Sequence, residues 1–103
     1  MLHQITVLKP DDSFVEAFFV SDSLLQELAR ISHIFELNYL NLAFLQEIEQ
    51  RALSVCSRRI KSQQLTTIRS FATSTLDWFG ELLALIDAIK KLHDPYSLSI
   101  RLA

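Results

Sequence analysis

At 103 residues, half of them hydrophobic and with only one Gly and two Pro, the chain has the length of one domain and too few turn residues for a disordered or turn-rich protein. The formal net charge is -2, charges interrupt every apolar run, and the first residues lack a basic stretch followed by an apolar one, so a cytoplasmic protein with no membrane contact is expected. The single cysteine, Cys56, excludes an internal disulfide and a zinc site built from cysteines of this chain alone, and is expected to be a small buried apolar group.

Residues 1–22 read as an N-terminal extension. "HQITVLK" mixes β-branched and polar residues and predicts an extended segment over 2–8, a possible short strand. "SFVEAFFV" opens with Ser13 and carries Glu16 three residues on, the spacing of a capping box, and predicts a short helix over 14–20. Phe14, Phe18 and Phe19 need a place to be buried, on the main helices or on a partner.

Ser21 or Ser23 supplies the next helix start, and Ser23 has Gln26 at the capping-box position. Leu28, Ile31, Phe35, Leu42, Leu45 and Ala52 then recur at steps of three or four, or multiples of them, with Asn38 in the same stripe. A flanking row of Leu24, Leu25, Ile34, Leu37, Leu40 and Ile48 widens the apolar surface. The pattern predicts one helix from about 24 to 56, wider than a single neighbour covers. Leu28, Ile31, Phe35, Asn38, Tyr39, Leu42 and Leu45 are therefore expected at a homodimer interface. Asn38 and Tyr39 either fix the register between helices or stand partly exposed.

A second helix is predicted after "CSRRIKS", with Ser62 as cap and Leu65, Ile68 and Phe71 at three-residue steps. A third starts at Ser74, with Asp77 completing its cap and Leu76, Phe79, Leu83 and Ile86 as its buried row. Lys90 and Lys91 suit its C-terminal dipole, and Pro95 stops it. Residues 96–103 form a tail without assigned structure. The expected fold is all-α: a helical domain over 23–95, one long helix with shorter ones, in an intertwined dimer.

No constellation points to catalysis. His3, His33 and His93 lack a metal-ligand spacing, Glu47 and Glu49 lie two apart on a predicted helix and so face different ways, and Gly80 is the one glycine. Neither an enzyme nor a metal or cofactor in this chain is expected. Between Gln50 and Leu76 there is no acid, while Arg51, Arg58, Arg59, Lys61 and Arg69 all lie there. These five are the candidate DNA-binding residues, against the alternative of an ordinary solvated face. "CSRRIKSQQLTTIRSF" joins two predicted helices through a short basic turn, as a helix-turn-helix reader requires, but lacks the turn glycine.

Glu27-Leu28, Leu37, Tyr39-Leu40, Leu42-Ala43, Ala52, Ile60 and Thr66-Thr67 follow, without a gap, the pattern "EL…L.YL.LA…A…I…TT" over residues 27–81. In this the chain resembles the FlhD family, the all-helical subunits of the flagellar master activator and their relatives on conjugative elements. The resemblance implies a transcriptional activator subunit that dimerises through intertwined helices, joins an FlhC-like partner holding the zinc, binds promoter DNA and recruits RNA polymerase. Asp87 stands near the place of the family's intermolecular cysteine, so a disulfide-linked dimer is not expected. Residues 1–22 have no counterpart in the family. The competing expectation is a helical protein-binding module without DNA binding, such as a secretion chaperone or an anti-activator.

Overall fold

The computed structural model describes residues 1–59 and 65–102, with the backbone alone at 59 and 65–67. Two strands come first, β1 (Leu2–Leu8) and β2 (Phe14–Ser21), then four helices, α1 (Asp22–Ile34), α2 (Leu42–Arg59), α3 (Leu65–Thr75) and α4 (Phe79–Lys90). A 3-10 turn at Pro95–Ser97 leads into β3 (Ser99–Leu102). The fold is thus mixed, helices on an antiparallel sheet of order β2-β1-β3, and the all-α expectation is corrected.

The extended segment expected over 2–8 is β1, but the short helix expected over 14–20 is a strand. β-branched and aromatic side chains favour the pleat. Ser13, the expected helix cap, is used in the hairpin turn instead: its N–H and Oγ both donate to Asp11 Oδ1, at 3.0 and 2.6 Å. Asp12 takes φ 68 at the tip, a left-handed conformation that a short polar side chain tolerates. The tail, left unassigned by its pattern, supplies the third strand, with Val7 opposite Ile100 and Ile5 opposite Leu102.

The long helix expected over 24–56 is two helices. α1 begins where expected, with Ser21 Oγ accepting from Leu24 N–H at 3.3 Å. It ends in a Schellman closure: Leu37 N–H donates to Ser32 O (2.8 Å) and Glu36 N–H to His33 O (3.2 Å), with Glu36 at φ 55. α2 restarts on Asn41, whose Oδ1 accepts from Phe44 N–H at 2.8 Å. Between the two helices Leu40 exchanges both backbone hydrogen bonds with Ile100, at 2.9 and 2.7 Å, and so ties the break to β3. The cap expected at Ser74 is also absent. Ser74 Oγ donates to Ser70 O, and Asp77 accepts from Ser23 Oγ at 2.6 Å. Ser62 and Ile60 lie outside the described residues, as does the side chain of Leu65.

Strand alternation sorts the sheet into two faces. Ile5, Val7, Val20 and Ile100 point inward and are buried with Leu24, Leu28, Leu82, Ile86 and Ile89 from the helices. A second cluster joins Ala52, Leu53 and Cys56 of α2 to Ile68, Ala72 and Phe79. Cys56 is buried there as a free thiol. No helix among the described residues is long and apolar enough to cross a membrane.

Candidate functional site

The chain leaves α1 before Glu36 and re-enters a helix at Leu42, and residues of α1 and α2 line a common gap. The gap is an open groove of about 360 Å³. Ile31 and Ile34 of α1 with Phe35 just after it form one wall, and Phe44, Ile48 and Val55 of α2 the other, with Leu76 and Trp78 also lining it. Ile34 is 57% exposed, Phe35 44% and Val55 46%, high values for side chains whose burial is worth about 1.5–3 kcal/mol each. Phe35 and Phe44 meet edge to face with ring centroids 5.7 Å apart, which joins the two walls near the helix break.

Charges rim the groove in pairs. On α1 Arg30 bonds Glu27 through its guanidinium, a contact that raises the Arg30 pKa above its ordinary value. On α2 Arg51 Nε lies 3.2 Å from Glu47 Oε1 and its guanidinium stands over the Phe35 ring, 5.3 Å from the centroid. Each wall therefore offers an apolar strip bordered by a neutral ion pair. No cluster of His, Cys, Asp and Glu able to hold a metal occurs among the described residues. A second, polar hollow is lined by Lys9, Asp12, Tyr39, Tyr96 and Arg101. In it Arg101 Nη2 is paired with Asp12 Oδ1 at 2.8 Å.

The expected interface residues are divided. Leu28, Leu42 and Leu45 have no exposed surface and pack in the chain's own core. Ile31 and Phe35 line the groove. Asn38 and Tyr39 stand exposed in the loop between α1 and α2.

Of the candidate DNA-binding residues, Arg51 and Arg69 have carboxylate partners. Arg51 belongs to the groove rim, and Arg69 Nη2 bonds Glu49 Oε2 at 2.8 Å, a carboxylate only 8% exposed. Arg58 is exposed on the last turn of α2. Lys61 and the side chain of Arg59 lie outside the described residues. The acids that pair with Arg51 and Arg69, Glu47 and Glu49, sit just before the segment in sequence, so a window without acids is not a surface without them. Ile34 carried a signal in the flanking apolar row. Val55, Leu76 and Trp78 carried none that pointed to a groove, because only the break at Glu36 brings residues of α1 and α2 to one groove.

No family model matches the chain, and neither a curated protein nor a solved structure matches it.

Proposed function

We propose that the chain is a non-catalytic binding module whose α1–α2 groove receives an amphipathic helix of another protein in the cytoplasm. The observation that carries this is the exposure of Ile34, Phe35 and Val55 along one apolar channel lined by residues of α1 and α2. A helix laid in such a channel presents side chains at i, i+3 and i+4 to both walls at once. The ion pairs on the rims leave no net charge to satisfy, so affinity comes from apolar burial and depends little on salt. Of the two expectations drawn from the sequence, this is the protein-binding one.

The activator-subunit reading, with a homodimer, a zinc-holding FlhC-like partner, promoter DNA and RNA polymerase, has exposed Arg58 in its favour. It has less support, since Arg51 and Arg69 already have carboxylate partners and the chain does not have the all-helical fold that the FlhD resemblance implies. The two readings separate on salt, because phosphate contacts make DNA affinity fall steeply with ionic strength.

Photoreactive side chains placed singly at Ile34, Val55 and Arg58 in the source cell test the choice. One protein crosslinked from positions 34 and 55, and not from 58, is the expected outcome. Nucleic acid crosslinked from 58, with nothing specific from the groove, contradicts it.

A further inference from the structure

The outer edge of β2 carries a separate message. β1 lies on one side of β2 and no strand among the described residues lies on the other. Ala17 N–H donates to the Glu16 carboxylate at 3.2 Å and Ser21 N–H to Glu81 Oε2 at 2.8 Å, so both amides point away from β1. Alternation along the strand turns Phe19 to the same open edge. Lys and Pro, two of the residues that guard an edge, are missing from "FVEAFFVS", and the irregularity at Val15 together with the charge of Glu16 limits the open edge to the stretch that follows. Phe14 and Phe19 are 62% and 61% exposed beside it.

We propose that β2 pairs antiparallel with β2 of a second copy of this chain, about a two-fold axis at Phe18, joining two three-stranded sheets into one of six. The occupant and the register follow from which groups are available. An axis at Phe19 sets Ala17 against Ser21, whose amide is held by Glu81. An axis at Phe18 sets Ala17 of each copy against Phe19 of the other, two residues whose amides face the edge and are not held by a helix. It moves Ser21 to the ends of the ladder, opposite Val15, whereas an axis at Phe19 leaves only the central pair free of it. Both Ala17–Phe19 pairs exchange two hydrogen bonds, and the Glu16 carboxylate releases Ala17 N–H to do so.

Side chains fit the same register. On the outer face the Phe19 ring lies over the small Ala17 of the second copy, a large-to-small match on each side of the axis. On the inner face Phe18 meets Phe18, extending the core across the join, because Phe18 already packs on the buried cluster. Glu16 faces Val20, and the two Glu16 residues lie roughly 13 Å apart along the strands, beyond strong repulsion. The pairing is independent of the groove, which lies on the helices.

Light scattering on the full chain at micromolar concentration is expected to show a dimer. Ala17→Pro removes the edge amide without touching the β1 ladder, and Phe19→Lys removes the exposed ring. Each is expected to weaken the dimer by about tenfold or more. Phe18→Cys places two thiols on the axis at a Cα separation near 4.5 Å, within disulfide reach, and oxidation is expected to link the copies covalently while Glu16→Cys does not. Wild-type Cys56 is buried and stays silent. A monomeric wild type, a dimer indifferent to Phe19→Lys, or equal crosslinking at 16 and 18 overturns the proposal.

Discussion

Glu49 shows how position outweighs composition at the level of one residue. It is the one charged side chain buried among the described residues, and Arg69 from α3 satisfies it. Removing Arg69 leaves a carboxylate partly desolvated and unpaired, so Arg69→Ala is expected to lose about 1–3 kcal/mol in urea unfolding. Arg58→Ala, on an exposed site, is expected to change stability by less than about 0.5 kcal/mol. Equal effects would show that the Glu49 pair does not hold α2 to α3. The hairpin turn gives a test in pH. The Ser13 hydroxyl, then its N–H, bonded to Asp11 hold that carboxyl below its ordinary value. A lowered folded pKa means the contribution is complete above the unfolded carboxylate value and is lost as pH falls through the folded one. Ser13→Ala is expected to move the Asp11 titration upward in NMR, and an unmoved curve would show that the turn is not closed as described.

At the level of the element, the decisive signals are two short ones that periodicity hides. Residues at steps of three and four continue across the break: Leu28 and Ile31 in α1 and Phe35 at its cap keep phase with Leu42, Leu45 and Ala52 in α2. A helix-period count therefore reads one long element. Asn41 is a cap only because the chain stops being helical before it, and Glu36 occupies a left-handed position that Gly usually marks. Other elements were legible: the start of α1 at Ser21, the extended 2–8 segment, and Phe79 and Ile86 in α4, all buried or capped as their spacing implies. Leu42 separates the two views of the helices. It has no exposure within the chain, so Leu42→Asp is expected to cost about 3–5 kcal/mol or more of folding stability. Ile34→Asp, at an exposed site, is expected to leave the melt nearly unchanged. A folded Leu42→Asp protein that had only lost self-association would restore the helix-face interface.

For the whole molecule, the sheet is what sequence reasoning could not assemble. β3 is four residues of "SIRL" at the far end of the chain, and nothing local says that Ile100 will pair with Val7 and with Leu40. Those pairings close the core and anchor the loop that joins α1 to α2, so the groove is a product of tertiary contacts. Ile34 and Ile48 were visible in the flanking row, and Ile31 and Phe35 in the main stripe, but which of them meet solvent was not. The central claim is that this groove takes up a partner's helix, and Trp78, the single tryptophan, lines it. The most direct measurement is a fluorescence titration of the full chain with the helix mapped by crosslinking from Ile34 and Val55. The account predicts a saturable change in Trp78 emission, nearly independent of salt and lost in a folded Ile34→Glu variant. Binding that leaves Trp78 emission unchanged, or that survives Ile34→Glu and falls steeply with salt, would contradict it.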